Sequence, residues 1–169
     1  MAREGMSRPA TDINAFEAFY RREYRSVLGL AVVLSGSRSA GEEIAQDAFT
    51  VTYREWGRVG GLDNPGAWVR KVVANRSVST FRRSMAEAKA LLRVGRPDPA
   101  VPAVEGLEVW DEVRKLPRRQ AQVVALTYLN DLPRRAVAEI LGCSEETVKT
   151  HLERAKRTLA GTLGQEDDR

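Results

Sequence analysis

The sequence predicts an all-α protein in which two small helical domains are joined by a proline-rich linker. Apolar residues recur at helical spacing through most of the 169 residues, and no stretch alternates convincingly as a half-buried strand would. Residues 93–106 contain three prolines in fourteen positions, which prevents a continuous helix and favours an extended chain. The predicted domains therefore cover residues 12–92 and 107–163.

The composition indicates packed, charged helices. Hydrophobic residues make up 43% of the sequence, and the formal net charge is +4. The positive charge is unevenly distributed, because residues 68–83 contain five basic side chains and no acidic ones. Such a stripe is typical of phosphate contact, although a solvated helix face has the same composition.

Several function classes are disfavoured by what the sequence lacks. Cys143 is the only cysteine, so neither an intramolecular disulfide nor a cysteine-based zinc site can form. The first ten residues have no apolar core, and no run approaches the ~18 apolar residues of a membrane-spanning helix. We therefore expect a cytoplasmic protein with no membrane insertion, no metal and no cofactor.

The first half of the first domain contains two signals for the start of a helix. Asp12 is a candidate cap for a helix over about residues 13–35, whose apolar residues lie on one side. Ser39 and Glu42 fit a capping box, in which each side chain satisfies a free backbone N–H of the other. This box predicts a second helix over about residues 40–56.

A third helix is predicted after a glycine-containing loop at residues 57–61. The Asn64-Pro65 pair fits an N-cap followed by the first helical residue, and the helix should reach about residue 84 or beyond. Trp68 fits the apolar side of this helix, whereas the pattern leaves Trp56 undecided between core and surface.

The second domain is predicted to begin with two further helices. Leu107, Trp110 and Val113 mark the first, and Pro117 begins the second. The residues expected on the inward side of the second are Val123, Val124, Thr127 and Tyr128. A turn at Asn130-Asp131 should then lead into the most specific pattern of the chain.

That pattern spans residues 132–159 and predicts two helices joined by a tight turn. Gly142 fits the left-handed end of the first helix, and Ser144 fits the N-cap of the second. The predicted buried residues are Val137, Ile140 and Leu141 in the first helix and Val148, Leu152, Ala155 and Leu159 in the second. This arrangement matches a helix-turn-helix whose second helix enters the DNA major groove, although an ordinary helical hairpin shares the pattern.

The segments of both domains together resemble a known family. AGEEIAQDAF at residues 40–49 and NPGAWVRKVVANRSVSTFRR at 64–83, with the helix before them, are similar to region two of extracytoplasmic-function (group IV) RNA polymerase sigma factors. Residues 116–159 resemble region four of the same family. The resemblance, to a SigE-like member, implies a non-enzymatic subunit that directs core RNA polymerase to promoters.

The resemblance implies a docking site for polymerase on the second helix. Glu43, Gln46 and Asp47 match positions that contact the clamp helices of the largest polymerase subunit. Charged and amide groups on one exposed helix face suit a polar interface that fixes register, although a solvated face looks the same. Glu42, beside them, is expected to act mainly as a cap.

The resemblance also implies two DNA-binding sites. Asn75 matches a residue that captures an unstacked base of the −10 element, and an amide can read the edge of such a base. The side chains expected to neutralise phosphates beside it are Arg70, Lys71, Arg76, Arg82 and Arg83. The positions expected to face the −35 element are Lys149, Thr150, Glu153, Arg154 and Lys156, with Arg134 and Arg135 on phosphates.

The expected partners are core RNA polymerase and promoter DNA, and many relatives also bind an anti-sigma factor. A polymerase-independent regulator, such as a two-domain repressor or a response-regulator effector, remains an alternative, because TVKTHL also occurs in LuxR-type effector domains. A repressor would dimerise and would need no base-capturing site. A hydrolase or transferase is disfavoured, because the sequence has no phosphate-binding glycine loop and only one histidine.

Overall fold

A computed structural model describes residues 10–77 and 107–163, and every regular element within these ranges is helical. The first domain contains α1 (Ala10–Ser35), α2 (Arg38–Arg54), the short α3 (Trp56–Val59) and α4 (residues 65–77, where the described part ends). The second contains α5 (Leu107–Lys115), α6 (Arg118–Val124), a π-helical turn (Ala125–Leu129), α7 (Arg134–Leu141) and α8 (Glu145–Leu163). The all-α prediction is confirmed, whereas the predicted linker lies outside the described residues.

The turn between α1 and α2 differs from the predicted one. Gly36 has a φ of 84°, and Ser37 caps α2 by accepting a hydrogen bond from the Ala40 N–H at 3.1 Å. Because α2 starts at Arg38, Ser39 lies inside the helix, and Glu42 pairs with Arg38 at 2.8 Å. The capping box at Ser39 was therefore wrong. Asp12 likewise lies within the first turn of α1, which begins at Ala10.

Aromatic rings hold the first domain together. Phe19 and Trp56 are 2% and 7% exposed, and their ring centroids lie 5.0 Å apart. Phe49 from α2 packs edge-on against Phe19 at 6.1 Å, and Phe16 meets Trp56 at 5.3 Å. Trp56 is thus a core residue, and it begins the short α3, which runs from the predicted end of the second helix into the predicted loop.

The helix-turn-helix forms as predicted. Gly142 ends α7 with a φ of 65°, and the Ser144 hydroxyl accepts a hydrogen bond from the Thr147 N–H at 3.1 Å. The described burial confirms the predicted core of both helices, with Val137, Ile140, Leu141, Val148, Leu152 and Ala155 buried and Leu159 packed against them. The Asn64 cap of α4 is also confirmed, at 2.9 Å from the Ala67 N–H.

A π-helical turn follows α6 and changes the register of the residues after it. The Asn130 N–H donates to the Ala125 carbonyl at 3.2 Å, five residues back instead of four. The extra residue rotates the side chains of this turn relative to a continuous α-helix. Tyr128 is therefore 54% exposed, and its predicted place in the core was wrong.

The two domains pack against each other through one continuous core. Helix α1 contacts both α5 and the π-helical turn, and Leu129 of that turn approaches Gly29 of α1. Buried apolar residues from both domains belong to the same cluster, from Val27 and Leu30 to Leu126. None of the helices in the two described ranges is long and apolar enough to cross a membrane.

The α1–α2 contact gives a first prediction. A Cβ added at Gly41 would lie 2.5 Å from Val32 Cγ2 and 2.7 Å from the Val32 Cα, so the two helices would have to separate. We expect Gly41→Ala to lower the free energy of unfolding by about 1–3 kcal/mol, despite the higher helix propensity of alanine. Gly161→Ala on α8, with nothing within 4 Å of the new methyl group, is the control and should stabilise slightly. Urea unfolding measures both, and equal stability of the two variants would contradict the close packing.

Candidate nucleic-acid interface

The second helix of the helix-turn-helix, α8, is held in a fixed rotation by its buried side. Val148 and Ala155 are fully buried, and Leu152 is 9% exposed. The opposite face therefore points away from the domain. It carries most of the side chains predicted to contact the −35 element, and Lys149, Glu153, Arg154 and Lys156 are exposed.

Local hydrogen bonds arrange the start of α8. The Thr150 hydroxyl donates to the Glu146 carbonyl at 3.0 Å, which leaves this residue half-buried against its own helix. Lys149 Nζ lies 3.5 Å from the Glu146 carboxylate. Glu145 and Glu146 occupy the first turn, where negative charge is favourable to the helix.

The other cations predicted on this side lie around α8. Arg134 and Arg135 are exposed in the first turn of α7. Lys156 Nζ lies over the ring of Tyr128 in the π-helical turn, 6.0 Å from the ring centroid. His151 is half-buried, and no cluster of three metal-ligating side chains occurs in the part of the chain that is described. The exposed cations of α7 and α8 thus form a positive surface.

Helix α4 presents a second polar face. Lys71 and Asn75 are exposed and lie four residues apart, which places them on the same side of the helix. Arg76 is also exposed, while Val73 and Ser77 are buried on the opposite side. Asn75, the predicted base-capturing residue, is therefore accessible. The predicted phosphate contacts Arg82 and Arg83 lie outside the described residues.

The structure corrects the predicted position of Arg70. Its side chain is 10% exposed, and its guanidinium contacts the Glu23 carboxylate at 2.8 Å and the Ser26 hydroxyl at 2.8 Å. It also donates to the Gly66 carbonyl at 3.0 Å and to Asn130 Oδ1 at 2.9 Å. A guanidinium so fully engaged by protein groups is not available to a phosphate. Arg70 belongs to the structural framework instead of the exposed basic stripe.

The predicted polymerase-docking face of α2 is exposed as expected. Glu43, Gln46 and Asp47 all point outward, above buried Ile44 and Ala48. Asp47 Oδ2 accepts a hydrogen bond from Arg76 Nη1 at 2.7 Å. One ion pair therefore joins the predicted docking face to the predicted DNA-reading helix, which the sequence did not indicate.

Comparisons with known proteins support this arrangement. Residues 106–159 match the family Sigma-70, region 4. Over 157 residues, the chain is 27% identical to the ECF RNA polymerase sigma factor SigM of Mycobacterium tuberculosis, covering 92% of this chain and 80% of SigM. Over nearly its whole length the chain is therefore similar to extracytoplasmic-function sigma factors, and its residues 106–159 match their region 4.

Solved sigma factors share the fold of this chain. RpoE from Bartonella quintana, in complex with the anti-sigma factor NepR, matches with a TM-score of 0.72 and 20% identity, covering 88% of this chain and 96% of RpoE. CnrH, in complex with the cytosolic domain of CnrY, matches with a TM-score of 0.68 and 20% identity, covering 90% of each chain. The SigE-like subgroup stays a prediction.

Glu23 of α1 is the acidic partner of Arg70, and the sequence did not reveal it. Burial acts to raise the pKa of its carboxyl, but hydrogen bonds from Arg22 and Arg70 and their positive charges outweigh burial, and the pKa is lowered overall. Glu23 has no sequence signal, because an acidic residue among the arginines of α1 looks like a solvated helix face. Gln122, which is buried and donates a hydrogen bond to the Ala74 carbonyl at 2.9 Å, did have a sequence signal, because it is a polar residue within an apolar run.

The lowered pKa of Glu23 predicts a pH effect on stability. Its contribution is fully present above the unfolded value of about 4.3 and is lost as the pH falls through the lower folded value. We expect Glu23→Gln to cost about 1.5–3 kcal/mol at pH 7, because it removes the charged partner of buried Arg70. The difference from the wild type should shrink below about pH 4.

Chemical denaturation between pH 3 and pH 7 measures this effect. The control is Glu17→Gln, which breaks an exposed pair with Arg21 and should change stability by less than about 1 kcal/mol at any pH. Parallel pH profiles for wild type and Glu23→Gln would contradict the assigned role of Glu23.

Proposed function

We propose that this chain is a sigma factor that directs core RNA polymerase to promoters. It reads the −35 element with α8, captures an unpaired base of the −10 element with α4, and docks on the polymerase clamp helices with α2. The proposal is carried by one observation: the three predicted faces are exposed on helices whose opposite sides are buried. Such helices present side chains in fixed positions, as base-specific recognition needs.

At the −35 element, the recognition helix supplies groups of several kinds. Arg154 can contact guanine through two parallel hydrogen bonds, and Glu153 can accept a hydrogen bond from cytosine. Lys149 and Thr150 reach base edges or phosphates near the start of α8, which is where a recognition helix approaches the bases. Arg134, Arg135 and Lys156 flank this face and would hold phosphates, so they would contribute affinity rather than sequence preference.

At the −10 element, Asn75 is the group that recognises a base. Its amide carries donors and an acceptor, so it can pair with the edge of a base that has left the stack. Lys71 on the same face and Arg76 beside it would neutralise the adjacent phosphates. Arg70, buried among protein groups, has no part in this contact.

The Asp47–Arg76 ion pair relates polymerase docking to DNA binding. Its two side chains are 55% and 42% exposed, so it is weak and easily exchanged. When polymerase contacts Glu43, Gln46 and Asp47, the Asp47 carboxylate gains competing partners. The pair between Asp47 and Arg76 would then be weakened.

The cellular location and the regulation of this activity can be inferred from the family. The protein would work in the cytoplasm and would lie on the nucleoid when it is part of the holoenzyme. The solved relatives RpoE and CnrH are each bound to another protein, in the case of RpoE an anti-sigma factor. We infer that an anti-sigma factor also regulates this chain.

The first test is whether purified protein binds core RNA polymerase and forms heparin-resistant open complexes on promoter DNA. We expect a stoichiometric holoenzyme that opens the duplex. Tight duplex binding by a dimer, with no binding to core polymerase, would overturn the proposal in favour of a repressor.

We predict that Arg154→Ala weakens specific promoter binding by the holoenzyme about 5–100-fold, which corresponds to about 1–3 kcal/mol for a lost bidentate contact. The variant should bind duplexes with an intact −35 element more weakly than the wild type does. It should bind duplexes with a scrambled −35 element as tightly as the wild type does. Arg157→Ala, one turn further along α8, is the control and should weaken both duplexes equally. Equal behaviour of the two variants would remove Arg154 from base recognition.

We predict that Asn75→Ala leaves −35 binding and polymerase docking intact but reduces open-complex formation about tenfold or more, because the flipped base loses its partner. A promoter with a premelted −10 bubble should not rescue the variant, since the missing contact is to the unpaired base itself. Asn14→Ala, which removes an exposed amide on α1, is the control. Open-complex formation unchanged from wild type would place base capture elsewhere.

A further inference from the structure

Two amide side chains of the second domain are bonded to the first. Asn130 accepts a hydrogen bond from Arg70 Nε at 2.9 Å, and its Nδ2 donates to the Ser26 carbonyl at 3.2 Å. Gln122, only 2% exposed, donates from Nε2 to the Ala74 carbonyl at 2.9 Å. Both amides therefore join α6 and the turn after it to α1 and α4.

The first domain presents these partners in a fixed geometry. Arg70 is already held by Glu23, by the Ser26 hydroxyl and by the Gly66 carbonyl, so its Nε points to a defined place. The acceptors for the two amides are backbone carbonyls of helices. The polar contact is thus a preformed socket, and it needs no rearrangement of the first domain.

The second domain directs Asn130 into this socket by its backbone. Asn130 directly follows the π-helical turn, and its N–H bonds five residues back to the Ala125 carbonyl. Asp131 follows with a φ of 51°, a left-handed conformation that non-glycine residues seldom adopt. A sharp turn therefore follows Asn130 at once and separates its side chain from α7.

The packed arrangement cannot serve both promoter elements at once. The −35 and −10 elements are about 25 base pairs apart, which is about 85 Å of duplex at ~3.4 Å per pair. A compact chain of 169 residues has a radius of gyration of about 15 Å, hence a diameter of about 40 Å. The connection between the described parts, residues 78–106, can reach at most about 95 Å when extended. Separation of the domains is therefore both required and permitted by chain length.

We propose that Asn130 and Gln122 form an interdomain latch, which keeps the free sigma factor closed and must open before α4 and α8 engage one promoter. This rests on the function proposed above. Each latch bond exchanges for a bond to water on opening, so the closed state is favoured only modestly. Because a binding-competent state that is rarely populated lowers apparent affinity, the latch weakens promoter binding until polymerase separates the domains.

The test is the Gln122→Ala/Asn130→Ala double variant of the full chain, measured by small-angle scattering without polymerase or DNA. We expect the radius of gyration to rise by roughly a third while the helical circular dichroism is retained. The matched control is Asn14→Ala/Gln120→Ala, which removes an exposed amide on α1 and the other glutamine of α6, and it should stay closed. An unchanged radius of gyration in the latch variant, with its helices intact, would overturn the proposal.

Two further measurements keep the outcome decisive. Should the double variant lose helical signal, Asn130→Ala alone is measured, because this side chain is half-buried and lies outside the α6 core. Its radius of gyration must still increase, or the latch is wrong. Open latch variants should also form holoenzyme complexes on promoter DNA with roughly 3–10-fold higher apparent affinity. Failure of wild type to bind core polymerase would instead refute the proposed function, which scattering does not test.

Discussion

The buried guanidinium of Arg70 is the interaction on which the relation between the two domains depends. It fixes α4 to α1 through Glu23 and Ser26, and its Nε–H is donated to Asn130 of the second domain. A buried cation is tolerated only when charge and hydrogen bonds compensate it, and here three side chains and one carbonyl do so. The same contacts that hold the −10 helix in place therefore also hold the recognition domain beside it.

Apolar and polar contacts have different tasks in this architecture. The continuous core buries apolar side chains of both domains, but apolar contacts are less directional than hydrogen bonds. The amides of Asn130 and Gln122 reach single carbonyl oxygens, which a displaced domain would miss. Such directional bonds define one closed arrangement among many that would bury similar apolar area. The interface is then specific without being strong, as a device that must open requires.

Periodicity predicted the fold and the helix-turn-helix correctly, because Val148, Leu152 and Ala155 have only one way to be buried together. It failed where one residue changes register: the π-helical turn moved Tyr128 to the surface, and the early cap at Ser37 moved the start of α2. Arg70 was misplaced because a lone arginine in a basic stripe carries no sign of its partners, which lie 44–60 residues away. Long-range polar contacts of this kind leave no local pattern in one sequence.

Substitutions in the two domains affect the latch differently. Asn130 and Gln122 donate to the backbone carbonyls of Ser26 and Ala74, and a backbone oxygen is present whichever residue occupies those positions. Substitutions at 26 and 74 that keep the helices in place therefore leave these acceptors unchanged. The interdomain setting can be adjusted by evolution or by design from the second domain, through two amide positions, without altering the residues that read the −10 element.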